Sequence, residues 1–220
     1  SATLIPTGSS VTIDYSAVAS SGTLTLIATS GACSANSTLP ISVNSIPAKP
    51  SPSAVPASVC LGSAATVNSN VVASGYSWTL PNGTTSNSTN ISLPSAALTD
   101  AGTYSLVVTN AAGCKSIAGT TNLVVNPVPA TLTSNTGPYC LGGTLTTSAT
   151  GPATNTYNWT LPSGATFVGQ SFTKANIALS DSGIYKVTST LNGCTSTVQT
   201  TTVKINPIPV TPIVASSVIC

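Results

Sequence analysis

Few side chains in this sequence could take part in chemistry. Its 220 residues include six cysteines but only eight charged side chains, five lysines and three aspartates, and no histidine. Enzymes draw most general acids and bases from histidine, glutamate and aspartate, and glutamate is also absent. The three aspartates, Asp14, Asp100 and Asp181, are scattered and predict no carboxylate pair. We therefore expect no catalytic residue and no enzyme activity.

The same residues argue against most cofactors and partners. No two cysteines have the Cys-x-x-Cys spacing of a zinc site, and no cluster of carboxylates could bind calcium. A net charge of +2 without arginine gives too weak a field for nucleic acid. No apolar run reaches the ~18–20 residues that span a bilayer. We expect no metal, no cofactor, no nucleic acid and no membrane insertion in this segment.

The elements that carry these residues are predicted to be strands. Serine and threonine together number 71, and threonine and valine suit the half-buried surface of a sheet. Glutamate, arginine and methionine, which favour helices, are absent. Sixteen prolines and 17 glycines separate short segments, so the composition predicts an all-β fold. Six cysteines among so few other reactive groups predict disulfides and an extracellular setting.

A series of landmarks recurs with a period of about 80 residues, which predicts tandem structural repeats. The matching segments keep the same order along the chain. They are Cys60-Leu61-Gly62 with Cys140-Leu141-Gly142, Tyr76 to Pro81 with Tyr157 to Pro162, Asp100 to Tyr104 with Asp181 to Tyr185, Gly113-Cys114 with Gly193-Cys194, and Asn126 to Pro129 with Asn206 to Pro209.

The register of the repeats also predicts the domain boundaries. Cys33 matches Cys114, so the chain is expected to begin inside a repeat, and Cys220 matches Cys140, so another repeat is expected to begin near the end. We therefore expect the parent protein to be longer at both ends. The predicted domains are 1–44 for the C-terminal half of a repeat, 45–126 and 127–206 for two complete repeats, and 207–220 for the first strand of a further one.

Alternation of residues predicts the strands within a repeat. In 127–206, Leu145, Thr147 and Ala149 alternate on a strand B, and Tyr157, Trp159 and Leu161 alternate on a strand C. We expect strand E over 172–177, strand F over 184–191 and strand G over 195–205. Asn-Gly at 192–193 is a strong signal for a hairpin between F and G.

These motifs resemble the immunoglobulin sandwich. A tryptophan on strand C, followed by Asp-x-Gly-x-Tyr at the start of strand F, is similar to that fold with its tyrosine corner. The Cys-x-Gly, Gly-Cys and Asn-Pro-x-Pro landmarks resemble the Ig-like and PKD-like repeats of large Bacteroidetes surface adhesins, including gliding-motility adhesins exported by the type IX secretion route. The resemblance covers the whole chain and implies a secreted, cell-surface array. Short proline-rich linkers between repeats predict an elongated rod.

Two pairs of residues have both a structural and a functional interpretation. Trp78 and Trp159 could stack on carbohydrate, but their position on strand C favours the core. Asp100 and Asp181 could bind metal, but each stands alone, which favours a carboxylate that accepts backbone hydrogen bonds at the E–F turn. We assign to the structural core Trp78, Asp100, Tyr104, Trp159, Asp181 and Tyr185.

Two functions are compatible with such an array. The repeats could form a non-catalytic stalk that projects an adhesive tip, with neighbouring repeats of the same chain as the main partners. Alternatively, the repeats could themselves bind surface polysaccharide, another ligand or other adhesin subunits through exposed loops. The B–C loops differ between repeats (69–75 against 150–155), which favours the stalk.

Two disulfide schemes are open. Pairing within a repeat would join Cys60 to Cys114 and Cys140 to Cys194. In immunoglobulin topology these partners lie at opposite poles, ~23 Å apart at ~3.3 Å per strand residue, whereas a disulfide needs Cα atoms within ~7 Å. Head-to-tail stacking would instead bring Cys60 close to Cys194, which the topology favours. The scheme within a repeat stays open because both cysteines accompany every repeat.

Overall fold

The computed structural model describes residues 2–7, 10–15 and 20–214, with side chains described for 20–214. Regular structure in these ranges is strand, apart from two 3₁₀ helices, Leu98–Asp100 and Leu179–Asp181. The all-β prediction is confirmed. None of the helices in the described part of the chain is long and apolar enough to cross a membrane.

The N-terminal region contains two antiparallel hairpins. Strands β1 (Ala2–Thr7) and β2 (Ser10–Tyr15) form the first, and β3 (Gly22–Ser30) and β4 (Cys33–Ile41) form the second. Gly31 occupies the second turn with φ +59°, a left-handed conformation that glycine adopts without steric cost. Leu26 and Leu39 on this hairpin are largely exposed.

Segment 45–126 forms two sheets. Strands β5, β7 and β10 make one in the order β10-β7-β5, and the other has the order β6-β12-β11-β8-β9. The strands are β5 (Ser53–Val55), β6 (Ser58–Cys60), β7 (Ala65–Asn68), β8 (Gly75–Thr79), β9 (Thr85–Ser86), β10 (Ile91–Leu93), β11 (Gly102–Thr109) and β12 (Gly119–Asn126).

Segment 127–206 has a similar strand order. One sheet has the order β13-β15-β18, a second has β17-β16-β19 with β20 and β21 both paired to β19, and β14 pairs with β22. The strands are β13 (Leu132–Asn135), β14 (Tyr139–Cys140), β15 (Leu145–Thr150), β16 (Thr156–Thr160), β17 (Thr166–Val168), β18 (Ser171–Lys174), β19 (Gly183–Leu191), β20 (Cys194–Thr195), β21 (Gln199–Val203) and β22 (Ile205–Asn206).

In both segments the first strand is divided into two halves that pair with different strands, a feature that alternation did not predict. β5 joins the sheet of β7, whereas β6 pairs in parallel with β12; likewise β13 pairs with β15 and β14 pairs in parallel with β22. A cis proline separates the halves each time, at Val55-Pro56 and Gly137-Pro138. Two sheets with this strand order form an immunoglobulin-like sandwich, so the all-β, immunoglobulin-like part of the predicted fold class is confirmed.

Two expected strands differ from those observed. Strand E was expected over 172–177, but β18 ends at Lys174, and the 3₁₀ helix Leu179–Asp181 follows soon after it. Strand G was expected as one strand over 195–205 but consists of three short strands, β20, β21 and β22. Residues 196–198 and Lys204 interrupt it, because a strand ends wherever its ladder of hydrogen bonds is broken.

The chain divides into two compact units. The first comprises Ser1–Ser53, Val67–Ile91 and Thr103–Thr121, and the second Ala54–Thr66, Ser92–Gly102 and Asn122–Cys220. Fully buried side chains of the first unit include Val67, Trp78, Tyr104 and Leu106. The second unit has a continuous apolar core composed of Tyr139, Leu145, Ala149, Tyr157, Trp159, Ile177, Tyr185, Val187, Val203 and Ile205.

Candidate functional site

A disulfide joins Cys60 to Cys194, with Cα atoms 5.5 Å apart. Cys60 is the last residue of β6 and lies beside Asn126, the last residue of the parallel strand β12. The following N–H of Leu61 donates to the carbonyl of Asn126 at 2.8 Å. Gly62 then turns the chain with φ +84°, which explains why a glycine stands two residues after the cysteine.

The F–G turn places Cys194 on the other side of the bond. Asn192 and Gly193 have φ of +50° and +79°, as a two-residue hairpin turn of type I′ requires, and Leu191 pairs with Cys194 across it. The amide of Asn192 donates to Oδ1 of Asn126 at 3.4 Å. Asn126 therefore pairs with Cys60 and also contacts the turn that carries Cys194.

The alternative disulfides within a repeat are absent, because Cys114 and Cys140 are free thiols. The path of β12 explains this for the first pair. Cys60 lies beside the C-terminal end of β12 at Asn126, whereas Cys114 precedes its N-terminal end at Gly119. A strand of 8 residues extends ~26 Å at ~3.3 Å per residue. That span exceeds the ~7 Å between the Cα atoms of a disulfide.

Cys140 has the same backbone surroundings as Cys60. It pairs with Asn206 at the end of β22, and the N–H of Leu141 donates to the carbonyl of Asn206 at 2.9 Å. Gly142 again has a left-handed φ, at +82°. The same local backbone structure therefore occurs at Cys60 and at Cys140. Cys33, the third free cysteine among the described residues, is exposed, and Cys220 lies outside those residues.

Both tryptophans are fully buried. Nε1 of Trp78 donates to the carbonyl of Ser88 at 3.0 Å, and Nε1 of Trp159 donates to the carbonyl of Gly169 at 2.9 Å. A buried indole needs such a partner for its N–H. Since neither ring exposes a face, neither can stack on a sugar, and the carbohydrate interpretation of these residues is wrong.

The aspartates lie at the two 3₁₀ helices. Oδ2 of Asp181 accepts the N–H of Ala178 at 2.8 Å, and Oδ1 forms an ion pair with Nζ of Lys174 at 2.6 Å. Oδ2 of Asp100 accepts the N–H of Ala97 at 2.8 Å. Both carboxylates thus hold a turn. The ion pair with Lys174 was not predicted, because a strand residue seven positions away gives no local signal for such a contact.

The tyrosines follow these turns. The hydroxyl of Tyr185 donates to the carbonyl of Asp181 at 2.9 Å, the tyrosine corner expected from the resemblance. Tyr185 and Tyr104 are both fully buried. Burial, with lesser contributions from Asp181 and Tyr139, raises the pKa of Tyr185 above 10.0. The hydrogen bond from Lys174 and the backbone N–H of Ala178 lower the pKa of Asp181 below 3.8.

The arrangement is structural in character. Within residues 20–214 and the two N-terminal strands, no group of three or more His, Cys, Asp or Glu could hold a metal ion. The cysteines, aspartates and tyrosines singled out from the sequence lie at separate turns and in the cores. The one covalent feature that links distant parts of the described chain is the Cys60–Cys194 disulfide.

No family model matches the chain, and no curated protein matches its sequence. Similar solved structures include murine CEACAM1b, at 12% identity and a TM-score of 0.45, covering 73% of this chain and 100% of that one. An amphioxus IgVJ-C2 molecule has 19% identity and a TM-score of 0.37, covering 67% and 99%. An I-band fragment of titin has 16% identity and a TM-score of 0.47, covering 72% and 64%. All three TM-scores lie below 0.5, so the fold assignment rests on strand order and pairing.

Proposed function

We propose that this chain is part of a non-catalytic extracellular stalk, an array of immunoglobulin-like repeats that projects an adhesive element from a cell surface. The repeats comprise 45–126 and 127–206, with 1–44 as the second half of a preceding repeat and 207–220 as the start of a following one. The array forms an elongated rod. Its partners are neighbouring repeats of the same chain.

The observation that carries this proposal is the Cys60–Cys194 disulfide. It bonds the segment 45–126 covalently to the segment 127–206. A bond between successive repeats limits their separation under load, a property suited to a stalk and not needed by a module that only binds a ligand. Structural disulfides are also typical of oxidising compartments, which supports an extracellular location.

The finer setting follows from the sequence motifs. The Cys-x-Gly, Gly-Cys and Asn-Pro-x-Pro landmarks resemble those of Bacteroidetes surface adhesins of the gliding-motility type. Secretion, attachment to the cell surface and membership of an adhesive filament are therefore part of the proposal. So is the absence of enzyme activity, which the lack of histidine and glutamate supports.

Small-angle X-ray scattering of the purified chain tests the proposed rod. A compact protein of 220 residues has a radius of gyration of about 17 Å. We expect a value well above this, with a pair-distance distribution skewed to long distances. A radius of gyration close to that of the compact protein would contradict the stalk.

A binding assay separates the stalk from the alternative in which the repeats themselves bind ligand. The chain is applied to immobilised surface polysaccharides, with an unrelated immunoglobulin-like domain as the control. We expect no binding above that control. Saturable binding that is lost when the B–C loop residues 150–155 are replaced would favour the binding module over the stalk.

A further inference from the structure

The Cys60–Cys194 disulfide joins residues that are 134 positions apart in the chain. Residues 61–193 lie between them and contain every strand from β7 to β19. Both tryptophans and most of the buried side chains of the two units belong to this stretch. The bond therefore closes a covalent loop around most of the folded chain.

We propose that this disulfide diverts tension around residues 61–193. When the chain is pulled from positions before Cys60 and after Cys194, two covalent routes connect the pulling points. One route runs through the backbone of 61–193. The other runs through the disulfide, across which the Cα atoms of Cys60 and Cys194 are 5.5 Å apart. The short route becomes taut first, and the longer one cannot be stretched while the short one is intact.

The strands that remain under load lie outside residues 61–193. On the N-terminal side they are β1 to β6, and on the C-terminal side they are β20, β21 and β22. β6 is paired with β12 over only three residues, from Ser58 to Cys60, and β20 has two residues. Force can peel these strands from their sheets, but it cannot extend β7 to β19 even if the non-covalent contacts of those strands fail.

The Cys60–Cys194 disulfide limits how far the chain can be extended, and its reduction removes that limit. Fully extended chain covers ~3.3–3.6 Å per residue, so the 134 positions between the cysteines correspond to roughly 450 Å. This length is withheld while the disulfide is intact and is released once it is reduced. The mechanism depends on the bond and on chain connectivity, and it holds whether or not the array is an adhesin stalk.

Single-molecule force spectroscopy measures the withheld length directly. The chain is held by its two termini and stretched until no further unfolding occurs, first oxidised and then after reduction by a water-soluble phosphine. We expect the reduced chain to be longer at full extension by roughly 450 Å. The double variant C60S/C194S should give the long value without reductant, and C140S, which removes a free thiol, should behave as the oxidised parent.

Two results would overturn the proposal. An oxidised chain that already extends to the full length of the reduced chain would show that tension is not diverted. A withheld length of roughly 180 Å, as expected for a Cys60–Cys114 bond, would show that a different stretch is protected. Reduction of the folded parent keeps the test valid if the double variant fails to fold. Either result would leave the scattering test of the rod unaffected.

Discussion

Replacement of Trp159 by alanine tests whether segment 127–206 depends on the core centred on strand β16. The indole is fully buried, and its Nε1 donates to the carbonyl of Gly169 at 2.9 Å. Trp159 is also paired with Val187 of β19 and Phe167 of β17. The substitution removes a large apolar side chain from between strands that cannot move inward without disrupting their own hydrogen bonds.

Large-to-small changes of buried tryptophan cost about 3–5 kcal/mol. The loss of the N–H leaves the Gly169 carbonyl without this donor, which places the expected cost toward the upper end of that range. Trp159→Phe keeps an aromatic ring and loses the N–H, so we expect a smaller cost of about 1–3 kcal/mol. Both variants lose the hydrogen bond, so the difference between their costs in unfolding free energy reports the lost packing of the ring.

Urea unfolding followed by circular dichroism measures these costs. Val168→Ala provides the control, because Val168 lies on the neighbouring strand β17 and is 64% exposed. Surface changes of this kind usually stay within about 0.5 kcal/mol. A cost below about 1 kcal/mol for Trp159→Ala would refute the argument, since it would mean that the indole is not an essential part of the core.

Two further predictions concern the ionisable and thiol groups. The pKa of Asp181 is lowered in the folded state, so its carboxylate stabilises the fold above pH ~4, and this stabilisation is lost as the pH falls below 3.8 toward the folded pKa. Acid unfolding of Asp181→Asn should therefore depend less on pH in that window than acid unfolding of the parent. An unchanged pH dependence would contradict this. Alkylation of the unreduced, denatured chain should label Cys114 and Cys140 but not Cys60 and Cys194. Peptide mass spectrometry identifies the labelled cysteines. Labelling of Cys60 without reductant would argue against the disulfide.

Local features of the fold could be predicted from sequence because local sequence determines them. Asn192-Gly193 forms the predicted hairpin turn, since these residue types tolerate the positive φ that the turn requires. Leu145, Thr147 and Ala149 alternate in the sequence and are buried along β15, because successive side chains of a strand point to opposite faces.

Features that depend on distant partners could not be predicted in the same way. Nothing in residues 53–60 specifies that β5 joins one sheet and β6 the other, because each half is paired by strands far along the chain. The ion pair between Lys174 and Asp181 depends on how β18 approaches a 3₁₀ helix. The alternation of residues along the sequence predicts neither the division of the first strand nor this ion pair.

The cysteines show most directly which features the sequence determined and which depended on the tertiary structure. The sequence by itself determined an all-β chain, the recurrence of Cys-x-Gly and Gly-Cys, and a choice between two disulfide schemes. Only the tertiary structure decided that Cys60 bonds to Cys194 and that Cys114 and Cys140 stay free. The physical reason is distance, because a disulfide forms between residues that the fold brings within ~7 Å, and sequence spacing does not measure that separation.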